Sequence, residues 1–224
     1  MELKQAKTYK VADLAASVSG GTSVLNKYTD FILSSNSAEA KKNRLSATGA
    51  VHRGEEREIK LMLPENQHSG IYNNLAVLNW DDSKVRGPYI VTVKNMFDDV
   101  LDKLETPENH ISIDLTAPKY GTENAILVEI SSKSDPKLGS RQHLIKKLPA
   151  AEQVKVKESL SDIIGVVSEQ TALNKLIQAS FYESHNLFID AITAYEEAIK
   201  LAPDVPTYQE AYEEFLLRHG MKNP

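Results

Sequence analysis

The chain reads as an α+β protein, an antiparallel β-sandwich followed by an α-helical C-terminal bundle, and three observations predict it. Between residues 58 and 148 the apolar residues recur with a period of two or in short continuous runs. Turn residues interrupt those runs at regular intervals. From Pro149 onward the period becomes that of an amphipathic helix. A length of 224 residues accommodates such a multidomain arrangement, and 41% hydrophobic with 25% charged residues is ordinary for a globular chain.

The first element is small. Val11, Leu14, Ala15 and Val18 repeat at helical spacing until Gly20-Gly21, and Val24, Leu25, Tyr28, Phe31 and Ile32 repeat it in a second short helix. Residues 34–58 are polar and read as an exposed connection, with one helical turn near residues 38–44. Residues 1–57 thus form a small helical segment and linker. The opening Glu2-Leu3-Lys4 and Thr8-Tyr9-Lys10-Val11 resemble the end of a strand-rich unit. A cytosolic start and a start left by a removed leader are both compatible with it.

Strands are expected at residues 59–63, 75–80, 89–93, 110–115, 125–130 and 142–145. Residues 100–104 fit either a seventh strand or a helix. Asp81-Asp82-Ser83, Thr106-Pro107-Glu108-Asn109, Ala117-Pro118-Lys119 and Ser134-Asp135-Pro136 mark turns between them. Trp80 closes an early strand, Tyr89-Ile90-Val91-Thr92-Val93 follows nine residues later, and Gly139-Ser140 precedes the last strand. On these residues the 58–148 segment resembles a fibronectin type III or related immunoglobulin-like module. It departs from that pattern in the penultimate strand, where Ala125-Ile126-Leu127-Val128 stands in place of the usual tyrosine. Trp80 and Tyr89 are expected as core residues between two sheets.

Pro149-Ala150-Ala151-Glu152 reads as the first turn of a helix reaching about residue 169. Further helices are expected over 171–185, 187–201 and 207–219. Thr207-Tyr208-Gln209-Glu210 has the form of a capping box, and Gly220 is placed to stop the last helix. Residues 172–205 resemble one tetratricopeptide repeat. Its small and aromatic positions fall at Ala179, Tyr182, Ala191, Tyr195 and Ala198, with Pro203 closing the unit, while Lys175 stands where the family places a bulky aromatic. Alanines let two helices approach, and the tyrosines fill the space beside them. A single unit cannot bury both faces, so the helices on either side are expected to cap it. A helical subdomain packed on the sandwich and a peptide-binding groove are both open readings of residues 149–224.

Charge narrows the function classes. Residues 1–60 carry +3, residues 61–150 carry −2 and residues 151–224 carry −6, which total the −5 of the chain. An acidic C-terminal third repels phosphate backbones, and no basic patch interleaved with aromatics offsets it, so nucleic acid is not expected as a partner. No apolar run is long enough for a transmembrane helix. Cysteine is absent, which removes disulfides, thiolate zinc sites and cysteine nucleophiles. The six histidines, at 52, 68, 110, 143, 185 and 219, match no metal or triad spacing, and Asp81-Asp82 and Asp98-Asp99 lack the calcium-loop pattern. No catalytic residue, metal or cofactor is therefore expected. Asp190, Glu196 and Glu197 read as a solvated helix face, or as an interaction strip for a basic partner.

The order of modules, with Pro203-Asp204-Val205-Pro206-Thr207-Tyr208 and Phe215-Leu216 near the end, resembles uncharacterised envelope-associated proteins of the Bacteroidetes group. That resemblance implies a non-enzymatic, extracytoplasmic scaffold or adaptor with protein partners. A cytoplasmic location is the alternative. A carbohydrate- or peptidoglycan-binding sandwich is the alternative function, and it requires Trp80 and Tyr89 to be exposed.

Overall fold

The computed structural model describes residues 59–64, 68–164 and 170–222. The two N-terminal helices and the polar connection expected over residues 11–58 lie outside the described residues. Among the described residues eight strands form two sheets: β1 (Lys60–Leu61), β2 (Ser69–Ile71), β3 (Leu75–Asp81), β4 (Tyr89–Lys94), β5 (Val100–Thr106), β6 (His110–Asp114), β7 (Ala125–Ser132) and β8 (His143–Lys147). A 3-10 turn at Pro118–Tyr120 joins β6 to β7. Four helices follow, α1 (Ala150–Ile164), α2 (Ala172–Ser184), α3 (Phe188–Leu201) and α4 (Pro206–Arg218). The chain is thus α+β. Among the described residues no helix is long and apolar enough to cross a membrane.

The three-stranded sheet has the order β1-β3-β6 and the five-stranded sheet the order β2-β8-β7-β4-β5. All pairings are antiparallel except one: β2 runs parallel to β8, with Ser69 opposite Ile145 and Ile71 opposite Lys147. The sheets are therefore not purely antiparallel as the sequence suggested. β2 is three residues, Ser-Gly-Ile, too short to show a period. The ambiguous stretch after Asp99 is strand β5, whose Leu104 lies opposite Val91 and whose Asp102 lies opposite Val93.

Alternation decides which side chains meet between the sheets. β3 sends Ala76, Leu78 and Trp80 inward, β4 sends Tyr89, Val91 and Val93, and β7 sends Ile126, Val128 and Ile130, all buried. The Trp80 and Tyr89 rings cross edge to face at 5.2 Å between the two sheets. The Tyr89 hydroxyl donates to the Val85 carbonyl at 2.6 Å. Gly139 is required ahead of β8, because a Cβ there would sit 2.9 Å from the Ile130 carbonyl oxygen. That close approach lets the Ser140 amide donate to the same carbonyl at 2.8 Å.

β5 is an edge strand with one distinctive feature. The Lys103 amide donates to the Asp102 Oδ1 at 3.0 Å, and the other oxygen of that carboxylate accepts the Tyr120 hydroxyl at 2.5 Å and pairs with the Lys119 ammonium.

The helices lie on the outer face of the three-stranded sheet, the side of β3 that carries Val77 and Asn79. α2 and α3 pack as a hairpin through Ala179, Ala191 and Ala198, all with no exposed surface. Phe215 of α4 joins that contact against Tyr195 at 5.1 Å and Phe188 at 6.1 Å. α2 is capped by the Thr171 hydroxyl, which accepts from the Asn174 amide at 3.3 Å. α4 begins at Pro206 with Val205 at its N-cap and no side-chain cap, so Thr207 lies inside the helix and does not form the expected capping box. Proline at the first position needs no partner for an amide it lacks, which settles the start one residue early.

α2 and α4 end alike. At α2 the Leu187 amide donates to the Tyr182 carbonyl at 2.9 Å and the Asn186 amide to that of Glu183 at 3.0 Å, with Asn186 left-handed at φ 57°. At α4 the Met221 amide donates to Leu216 at 2.8 Å and the Gly220 amide to Leu217 at 3.2 Å, with Gly220 at φ 66°. Both are Schellman turns, each with a buried apolar residue, Leu187 or Met221, closing over the helix end.

Candidate interaction site

The tight turn after α2 fixes where α3 begins, and with it the direction of Asp190 in its first turn. Phe188, Ile189, Ala191 and Ile192 around it are all buried, so this turn is enclosed on every side. The Asp190 carboxylate, 1% exposed, reaches the turn between β2 and β3. It accepts the backbone amides of Tyr72 and Asn73, both at 2.8 Å, one on each oxygen. Burial outweighs those hydrogen bonds and pushes its carboxyl up to about 6. Beside it the Asn73 side-chain amide donates to the Tyr182 hydroxyl at 3.2 Å, and the Tyr72 and Tyr182 rings lie 6.3 Å apart. Burial likewise lifts the Tyr182 phenol to about 12.

Two turns along α3, Glu196 makes a second attachment. The Asn79 side-chain amide of β3 donates to Glu196 and to the Tyr212 hydroxyl, the latter at 3.1 Å. Burial raises the Glu196 carboxyl, with the Asn79 hydrogen bond working against it. At the far end Lys60 of β1 donates to the Gly220 carbonyl at 3.2 Å. The helical layer is thus joined to the sheet through hydrogen bonds at both ends of α3 and at the end of α4.

A charged cluster ties α2 to the end of α4. Glu183, buried, accepts Arg218 Nε at 2.7 Å and Nη2 at 3.0 Å, His219 Nε2 at 2.9 Å and the Tyr195 hydroxyl at 3.2 Å. Burial alone would raise the Glu183 carboxyl, but the His219 hydrogen bond and the Arg218 guanidinium hold it below the usual glutamate range.

These positions change the reading of several candidate residues. Asp190 and Glu196 face the sheet, so the three acids do not make an accessible strip. Glu197 alone points outward, paired with Lys175 at 2.6 Å. The sequence could not show this, because the Tyr72 and Asn73 amides lie more than a hundred residues from Asp190. The one signal was its place in an all-apolar helical turn. Ala179, Tyr182, Ala191, Tyr195 and Ala198 are buried together where α2 meets α3, while Pro203 is exposed in the turn before α4. Trp80 and Tyr89 are both buried, so neither offers a ring for sugar stacking.

Ser69 Oγ and His143 Nε2 stand 2.9 Å apart, the spacing of a nucleophile and its base. Both are buried where β2 meets β8, and burial, with His68 nearby, lowers the His143 imidazole to about 4. The pair is a neutral hydrogen bond holding the short parallel strand. Among the described residues no group of three or more His, Asp or Glu side chains converges as a metal site.

No protein-family model matches the chain, and no curated protein matches it significantly.

Proposed function

We propose that the chain is a non-enzymatic protein-protein adaptor whose helical hairpin and β-sheets act as one rigid platform. The observation that carries this reading is the junction itself. Asp190 and Glu196 spend buried carboxylates on fixing α3 against the β2-β3 turn and β3, which is the arrangement a scaffold needs to hold two surfaces at a constant angle. The strand order β1-β3-β6 facing β5-β4-β7-β8, with Trp80 in its centre, supports a fibronectin-type-III-like module. The alanine contact of α2 with α3 supports a tetratricopeptide-like one. Membership of an envelope assembly rests on the sequence resemblance and is part of the same proposal.

Purification of the full chain, tagged, from its own cells after mild crosslinking tests the reading. The expected result is a stoichiometric complex that weakens at least tenfold with Glu196→Ala, a variant that loosens the junction while leaving both cores intact. A chain recovered as a lone monomer, or a complex indifferent to the junction, overturns it.

A further inference from the structure

The edge of a sheet presents a row of unpaired amides and carbonyls, and three of the four edges here are blunted. β1 is two residues long and β2 three, and the Lys103 amide of β5 is engaged by Asp102. β6 is different. It closes the three-stranded sheet, and among the described residues no strand lies on its outer side. The Trp80 amide donates to the Asn109 carbonyl at 3.0 Å and the Leu115 amide to the Asn74 carbonyl at 2.8 Å. Between these bonds Leu78 lies opposite Ile111 and Ala76 opposite Ile113. An antiparallel ladder bonds at alternate residues, so the amides and carbonyls of Ile111 and Ile113 turn toward β3 and those of His110, Ser112 and Asp114 turn outward. The His110 carbonyl accepts the Thr106 hydroxyl at 3.5 Å and the Asp114 carbonyl accepts the Ala117 amide at 3.2 Å, each keeping a second lone pair. All three outward residues have exposed side chains, so the helical layer does not cover this strand.

The order of residues says what fits against it. His110-Ile111-Ser112-Ile113-Asp114 is chemically symmetric about its centre: a hydroxyl, an isoleucine on each side, then a base at one end and an acid at the other. Turned antiparallel on a second copy of itself, the strand sets Ser112 against Ser112 of the partner subunit, Ile111 against Ile113 and His110 against Asp114. Each unlike pair then occurs twice, as a two-fold axis requires. The two Ser112 residues exchange a pair of backbone hydrogen bonds, and each His110–Asp114 pairing adds another pair. Side chains directly opposite one another have their Cβ atoms about 5 Å apart, close enough for imidazole and carboxylate to meet. Asp114 is prepared for that contact. The Thr116 hydroxyl and amide both donate to its Oδ1, at 2.7 and 2.9 Å, and hold the carboxyl below the usual aspartate range. An imidazole N–H donates to a carboxylate whether or not the ring is charged. Parallel pairing in register would instead stack His110 on His110 and Asp114 on Asp114, like beside like.

We propose that β6 is a dimerisation edge: two copies of the chain pair their His110–Asp114 strands antiparallel about a two-fold axis at Ser112, which joins their three-stranded sheets into one continuous sheet. This does not rest on the adaptor reading. The chain has no cysteine, so single introduced thiols report the register. Ser112→Cys in the full chain should give a disulfide-linked dimer under mild oxidation, because the Cα separation of a hydrogen-bonded pair, about 5.5 Å, suits a disulfide. His110→Cys and Asp114→Cys should each stay unlinked alone, since like positions lie about 13 Å apart at the rise of a strand, and should link to each other when the two proteins are mixed. Val154→Cys, at an exposed residue of α1, should link at least tenfold more slowly than Ser112→Cys. Sedimentation of the unmodified chain should show a monomer–dimer equilibrium. Ser112→Pro removes an outward amide and spares the ladder to β3, and should weaken that equilibrium at least tenfold. Equal linkage rates at Ser112 and Val154, no linkage in the mixture, or a chain monomeric at every concentration would each overturn the proposal. A dimer that persists in a folded Ser112→Pro variant would place the interface elsewhere and overturn it too.

Discussion

Replacing Asp190 by asparagine separates the charge of the junction from its shape. In the folded chain the carboxyl titrates at about 6 against 3.8 in an open one. At 1.36 kcal/mol per pH unit that difference amounts to about 3 kcal/mol. The folded pKa is the higher one, so the sign is fixed. The contribution is fully present only well below 3.8, where both states are protonated, and is lost as pH rises from there through 6. Asp190→Asn carries no such titration. It has only one oxygen for the two amides of Tyr72 and Asn73, and an amide left without an acceptor costs about 1–3 kcal/mol. The variant should therefore be at most about 2 kcal/mol less stable than the parent at pH 4, where the protonated parent carboxyl also has a single carbonyl oxygen, and should gain about 2 kcal/mol relative to the parent between pH 4 and pH 7. Urea unfolding of both proteins across that range measures it. Taking the difference between the two cancels the titrations of His143 and Glu183, which the proteins share. Curves that run parallel from pH 4 to pH 7 would refute the reasoning, because the carboxylate would then carry no burial cost.

Arg218→Ala leaves the buried Glu183 carboxylate with only His219 and Tyr195, and should cost about 3–5 kcal/mol in thermal or chemical unfolding; a loss below about 1 kcal/mol would mean the pair is not buried as described. His143 keeps a folded pKa of about 4 against 6.5 when open, so its stabilisation is present above pH 6.5 and lost as pH falls. Its ring proton shifts in NMR should stay unchanged down to about pH 5, and a midpoint near 6.5 would contradict its burial. Ala191→Leu should destabilise by about 1–3 kcal/mol or more, because three added carbons enter a contact with no free surface. Ala151→Leu on exposed α1 should change stability by less than about 0.5 kcal/mol; equal effects would show that the α2-α3 contact is loose.

Much of the fold was legible because its periods are strong. The β4 and β7 runs, rich in valine and isoleucine, and the Ala191-Tyr195-Ala198 spacing of α3 each admit one reading. β5 did not, since Val100-Leu101-Asp102-Lys103-Leu104 fits a strand or a helix until Val91 and Val93 are seen beside it. β2 is set by Ile145 and Lys147, far along the chain, rather than by any pattern of its own. The site was less legible for the same reason. An acid on a helix reads as a solvated group unless the donors that receive it are known, and those of Asp190 and Glu196 come from the sheet. Phe97, 86% exposed between β4 and β5, reads in the sequence as a phenylalanine like the buried Phe181, Phe188 and Phe215.

The arrangement around Asp102 bears on how these molecules behave when crowded together. A foreign strand adding to β5 would need outward amides free along its whole length, yet the Lys103 amide in the middle is already engaged. To reach it the newcomer would first have to strip Asp102 from Lys119 and Tyr120. The five-stranded sheet thereby ends itself at this side, and concentrated solutions are expected to hold discrete particles rather than fibrils seeded from β5. Anyone wishing to graft a sixth strand there would begin by removing that carboxylate.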